Sequence, residues 1–140
     1  MDKKIYLTAE VFGMCGGVHA ALKILDELLE STGGPVCVFH ELVHNRRVTD
    51  SYRARGVIFA ESEEEIPPGA TLVIGAHGVA PDVEKRLRNR AGSCFDATCP
   101  LVKKLHLIAL ALTGADELII FGKKGHPDRK STRLNSSHVT

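Results

Sequence analysis

The sequence predicts an α/β fold built on a largely parallel sheet. Three observations carry that expectation. Short strand-like segments alternate with helical stripes along the chain. Thr71-Leu72-Val73-Ile74-Gly75-Ala76 is an unalternated apolar run, which suits a strand covered on both faces. Gly- and Pro-rich turns, such as Gly33-Gly34 and Pro67-Pro68-Gly69, fall at the junctions. A chain of 140 residues is long enough to bury about two thirds of its unfolded surface, so an ordinary hydrophobic core suffices.

Ile5-Tyr6-Leu7-Thr8-Ala9 reads as a first strand, followed by the turn Gly13-Met14-Cys15-Gly16-Gly17. Val18, Ala21, Leu22, Leu25, Leu28 and Leu29 then form one helical stripe, with Lys23, Asp26, Glu27 and Glu30 opposite, until Gly33-Gly34 stops the helix. Val36-Cys37-Val38-Phe39 is the next strand and opens into the polar loop from His40 to Asn45. A short helix over residues 46–55 ends at Gly56, and Val57-Ile58-Phe59-Ala60 returns as a strand. Glu63-Glu64-Glu65 reads as a solvated face.

After the 71–76 strand, His77-Gly78 leads to a helix beginning at Pro81. Val83, Leu87 and Ala91 face inward there, and Glu84 is one turn from Arg88. Cys94-Phe95-Asp96 is a short strand. Thr98 is the expected N-cap of the following helix, with Pro100 in its first turn and Cys99 among its unpaired N–H groups, a position that favours a thiolate. That helix is apolar nearly all round from Leu101 to Leu112 and expects cover on more than one side. Glu117-Leu118-Ile119-Ile120-Phe121 is the last predicted strand, opening into Gly122-Lys123-Lys124-Gly125-His126-Pro127.

Composition narrows the function. Cys15, Cys37, Cys94 and Cys99 lack a compact secreted spacing and no apolar leader is seen at the N-terminus, so a reducing cytoplasm is expected. No segment is apolar enough for a membrane span. A formal charge of +1, with two Tyr, five Phe and no Trp, gives no case for nucleic acid, and a small-molecule partner is expected instead.

Cys15, His44, His77, Cys99 and His126 each follow a predicted strand. In a parallel sheet such loops gather at the carboxyl edge, where ligands bind, so two thiols and three imidazoles are expected to line one cleft. Cys37 and Cys94 lie within strands and read as packing; His19 and His106 lie within helices and read as surface or core residues. His40 opens the His44 loop without an assigned role. On residue types alone, the imidazoles suit an anion. The thiols suit zinc with two histidines, although no tight ligand spacing supports it, or a nucleophile at Cys99 with His77 as base. An iron-sulfur cluster tolerates scattered ligands but wants more than two thiolates.

The motifs Gly13-Met14-Cys15-Gly16-Gly17-Val18, Glu41-Leu42-Val43-His44-Asn45, Ala76-His77-Gly78-Val79, Asp96-Ala97-Thr98-Cys99-Pro100-Leu101-Val102 and Gly125-His126-Pro127 add to this reading. In this order and spacing they closely resemble the 4-hydroxy-3-methylbut-2-enyl diphosphate reductase family, over residues 4–127. The resemblance implies the last step of the methylerythritol phosphate route to isoprenoids, a reductive dehydroxylation giving isopentenyl and dimethylallyl diphosphates. It implies Cys15 and Cys99 as two of three thiolate ligands of a 4Fe-4S cluster, His44, His77 and His126 as diphosphate-binding residues, and His126 as a catalytic aid to proton delivery. It also implies an electron donor such as ferredoxin or flavodoxin.

The family is built of three similar α/β domains, so residues 1–97 are expected to form the first and residues 98–127 to begin the second. A third cluster cysteine and a later Ser/Asn motif are absent, and Asp128 stands where the family has an acidic proton donor, normally glutamate. The chain as given therefore reads either as part of the reductase or as a piece able at most to bind anions. Residues 128–140 abandon the periodicity of the preceding chain, with Leu134 the one apolar side chain before Val139. Residues 128–138 also match, codon for codon, the translation of a sequencing-library adapter. They are read as a non-native, disordered tail and set apart from fold and site.

Overall fold

The computed structural model describes residues 5, 7, 10, 13–112 and 119. The predicted strands over 5–9 and 117–121 lie largely outside this range, and His126 and residues 128–140 lie wholly outside it. Four helices alternate with four strands: α1 (Gly16–Ser31), β1 (Val36–Phe39), α2 (Arg46–Ala54), β2 (Ile58–Ala60), β3 (Thr71–Ile74), α3 (Pro81–Arg90), β4 (Ser93–Asp96) and α4 (Pro100–Ala111). The strands form a parallel sheet in the order β2-β1-β3-β4, with Phe39 opposite both Ala60 and Ile74, and Ile74 opposite Asp96.

Every residue of β1 and β3 is buried, as their unalternated apolar character requires. The pleat divides those residues between two cores. Val36, Val38 and Val73 pack with Ala21, Leu25 and Leu28 of α1 and Tyr52 of α2 on one face. Cys37, Phe39, Leu72 and Ile74 pack with Leu87 of α3 on the other, with Val83 and Ala91 beside it.

Local chemistry explains the helix ends. The Asn45 side chain accepts hydrogen bonds from the Arg47 and Val48 amides and so caps α2, while Gly56, at φ +91°, takes the left-handed turn beyond its end. Pro81 opens α3, and Arg88 donates to Glu84 one turn back, as the spacing predicts. One expectation needs correction. Thr98 does not cap α4: its hydroxyl and amide both donate to Asp96, and Cys99 becomes the N-cap residue instead. Glu63–Glu65 is a solvent-facing 3-10 turn with no buried residue, as expected, and Arg86 donates to Glu63 and the Glu61 amide to Glu65.

α4 buries His106 and Ala109 and exposes Leu101, Leu105, Leu107, Ile108, Leu110 and Leu112, which agrees with an apolar helix that expects further cover.

The topology also fixes where a ligand would sit. β1 leads through α2 on one face to β2, whereas β3 leads through α3 on the opposite face to β4. The two crossovers diverge from adjacent strands, so a crevice opens between the carboxyl ends of β1 and β3.

Leu25 and Leu87 are fully buried on opposite faces of the sheet. Leu25→Ala and Leu87→Ala are each expected to cost about 2–5 kcal/mol of folding stability. Their double variant should show additivity to within about 0.5 kcal/mol, because the sheet separates the two sites. Urea unfolding of the three variants measures both quantities.

Candidate functional site at the switch point

The loop leaving β1 carries His40, Glu41 and His44, and the loop leaving β3 carries His77 and Gly78. His44 and His77 meet across the crevice, with ring centroids 4.7 Å apart. Glu41 Oε2 lies 2.7 Å from His44 Nδ1, a bond that places a proton on Nδ1 and fixes the ring. His40, at φ +62°, makes the equivalent contact with Glu61 at 3.2 Å. A left-handed non-glycine residue at the end of a buried strand is a strained feature of the kind that collects at binding sites.

His40, His44 and His77 line a cavity of about 870 Å³. Glu41, Glu61 and Glu63 also line it, and each is already bonded to an imidazole or to the Arg86 guanidinium. These three carboxylates are thus committed to neighbours, Glu64 is a fourth in the lining, and imidazole rings converge at the mouth between β1 and β3. Such a lining can accept a small anion at the imidazole end.

The thiols stand at two helix starts. Cys15 is the N-cap residue of α1, extended in backbone, and Cys99 that of α4, and neither makes a capping bond through its side chain. Cysteine is not a preferred cap, so its presence at both helix starts calls for another role. The Cys99 amide donates to the Ala76 carbonyl at 2.9 Å, next to His77, so the two loops are stitched together by backbone. Neither cysteine lines the histidine cavity, contrary to the expectation of one shared cleft. The cause is the pleat: Cys99 packs on the α1 face, whereas the cavity draws Phe39, Val79 and Val83 from the α3 face. His77, which lines the cavity, directly follows Ala76, whose carbonyl accepts from the Cys99 amide. His126 lies outside the described residues.

The remaining cysteines differ in kind. Burial pushes the Cys37 thiol up to about 11, and burial also raises Cys94. Both are packing residues, as their strand positions predict. His106 is buried in α4 and His19 is exposed on α1.

Exposed or half-buried sulfur at two helix N-termini fits a thiolate-ligated metal group in donor chemistry. It does not fit in number: among the described residues no three His, Cys, Asp or Glu side chains converge as metal ligands.

A family model described as "LytB protein" matches residues 6–139 and so runs on into the 128–140 segment. The chain belongs to the LytB family. It is 44% identical over 133 residues to the 4-hydroxy-3-methylbut-2-enyl diphosphate reductase of Neisseria gonorrhoeae strain NCCP11945, covering 94% of this chain and 41% of that protein. The same-named protein of Aromatoleum aromaticum is 43% identical, with 94% and 43% covered. Among solved structures, E-1-hydroxy-2-methyl-but-2-enyl-4-diphosphate reductase from Plasmodium falciparum matches with a TM-score of 0.83 at 30% identity, over 91% of this chain and 42% of that one. A second LytB-like match is a structure of (E)-4-hydroxy-3-methyl-but-2-enyl diphosphate reductase, the terminal enzyme of the non-mevalonate pathway, with a TM-score of 0.75 at 33% identity. The chain thus spans about two fifths of the length of the relatives it matches. Among the described residues no helix is long and apolar enough to cross a membrane.

Three residues that sequence reasoning left without a role shape these loops. Glu41 orients His44, and its spacing of three from that histidine was the available signal. Gly78, at φ +65°, is pressed against Thr98: an added Cβ would lie 2.8 Å from Thr98 Cγ2. Asp96 accepts from the Thr98 amide and hydroxyl and from Lys103 at 2.6 Å. Burial alone would raise Asp96, but the bonds from Lys103 and Thr98 outweigh it and hold the carboxyl below the usual aspartate range.

A carboxyl lowered on folding stabilises the fold above its unfolded pKa, and that contribution fades as pH falls through the folded value. Asp96→Asn is therefore expected to melt lower than the parent at neutral pH, with the gap closing as the solution is acidified. Melting curves from neutral to acid pH check this; a gap that stays constant contradicts the assignment.

Proposed function

We propose that this chain is the amino-terminal part of a reductase acting on 4-hydroxy-3-methylbut-2-enyl diphosphate, yielding isopentenyl and dimethylallyl diphosphates. The observation that carries the reading is the meeting of His44 and His77 at the switch point, one backbone bond from the helix-capping thiol Cys99. Membership of the LytB family supports the substrate class, since the relatives are named for this diphosphate.

In this reading His44 and His77 hold the diphosphate by charge and hydrogen bonding, with Glu41 keeping the His44 ring in place. His126 completes the diphosphate contacts and aids proton delivery. Cys15 and Cys99 would be two of the thiolate ligands of a 4Fe-4S cluster, which would supply electrons and a Lewis-acid iron. A small redox protein such as ferredoxin or flavodoxin is the electron donor. Residues 1–97 form the first domain, 98–127 open the second, and 128–140 contribute nothing to the site.

The want of a third ligand among the described residues favours a narrower reading for the chain at this length, an anion binder without redox activity. Two measurements separate the readings. Inorganic diphosphate titrated calorimetrically into the chain should bind, and His44→Ala or His77→Ala should weaken binding by about tenfold, or about 1.4 kcal/mol each. Residues 6–127 grafted in place of the matching segment of the Neisseria gonorrhoeae relative, reconstituted anaerobically with iron and sulfide and reduced with dithionite, should convert the substrate. The Cys15→Ser and Cys99→Ser grafts should lose that activity. A folded graft that is inactive, or Cys→Ser grafts that keep full activity, would overturn the reductase reading and leave the anion binder.

A further inference from the structure

Two adjacent glycines open α1, although each costs about 1 kcal/mol of helix propensity relative to alanine. Their surroundings differ. An added Cβ at Gly16 would meet nothing within 4 Å. One at Gly17 would lie 2.5 Å from Cys99 Sγ and 3.0 Å from Cys99 Cβ. A helical Cβ points toward the helix N-terminus, so the sulfur of Cys99 rests against the first turn of α1, two residues from Cys15.

Cys99 is pinned from behind. Its amide donates to the Ala76 carbonyl and its own carbonyl accepts from the Lys103 amide, both at 2.9 Å. The preceding residue, Thr98, is held by Asp96. A side chain at position 17 would therefore displace the thiol rather than the backbone that carries it.

We propose that Gly17 is a positioning residue for the Cys99 thiol: its lack of a side chain leaves the seat that brings the sulfur of one helix cap onto the N-terminal turn of the other. Two cysteines distant in sequence then share the unpaired N–H groups of a single helix start. The assignment of Cys99 as a ligand rests on the reductase reading, whereas the seat itself is a property of the folded chain.

The test uses the 140-residue chain. Cys99 alkylation by iodoacetamide at neutral pH is followed by peptide mass after cleavage on the amino side of aspartates, which puts Cys15, Cys37, Cys94 and Cys99 in four different peptides. Gly17→Ala should quicken Cys99 labelling by about tenfold as the half-buried sulfur is pushed into solvent. Gly16→Ala, with open space around it, should leave the rate unchanged. Thermal melting then reads the coupling. Gly17→Ala should lower Tm in the parent but not in a Cys99→Gly background, where the sulfur and Cβ that it would strike are gone. If Gly17→Ala fails to fold alone, recovery of folding in the Gly17→Ala/Cys99→Gly variant is the supporting result. Equal labelling of the two alanine variants, or a loss of Tm that is the same in both backgrounds, overturns the proposal. Neither readout depends on a cluster or on catalysis, so failure of the reductase reading would leave both results interpretable.

Discussion

The divergence of the chain at the β1/β3 pair is the constraint on which the rest of the site depends. Parallel strands must be joined by crossovers, and crossovers are right-handed. One that leaves β1 toward β2 and one that leaves β3 toward β4 travel in opposite directions along the sheet, so they must lie on opposite faces. The two loops that begin them are forced apart above the sheet, and the space between them is the crevice that His44 and His77 close to 4.7 Å. The histidines sit where the topology leaves room.

Close backbone approach then converts this geometry into a fixed arrangement. Gly75 lies where an added Cβ would come 2.7 Å from the Glu41 carbonyl, which lets the β1 and β3 loops touch. The Ala97 amide donates to Ile74 and the Cys99 amide to Ala76, which ties the β3 loop to the β4 loop. Asp96, at the last position of β4, gathers Thr98 and Lys103 and so sets the turn into α4. Each link consists of backbone or of a short charged bond, and such links hold reacting groups more tightly than flexible side chains would. Histidine and cysteine positions become coupled through the sheet edge, although they open on different faces.

Much of this was legible in the residues. β1 and β3 were readable because strands buried on both sides leave no polar alternation, and α1 because its apolar stripe is wide. The ends of β1, β3 and β4 gave His44, His77 and Cys99 a common edge. What escaped the reading was three-dimensional. Thr98 looks like a cap until the competing carboxylate of Asp96, two residues back, is placed beside it. Glu63 is also bonded to Arg86 of α3, a contact between distant residues that local spacing does not display. The separation of thiols from the histidine cavity follows from pleat parity at the loop starts, which a one-dimensional pattern does not display.

The chain covers about two fifths of its LytB-family relatives, and its two helix-capping thiols are fewer than a thiolate cluster requires. The part of the proposed chemistry that the described residues bear on is the anion crevice, and that proposal can be met directly. Side-chain NMR of the histidine ring C–H groups during titration with inorganic diphosphate reads all seven histidines of the chain at once. The account predicts that His44 and His77 shift together along one binding curve while the exposed α1 residue His19 stays still. Shifts at His19 equal to those at His44 and His77, or no shift at the pair, would contradict a diphosphate site at the switch point.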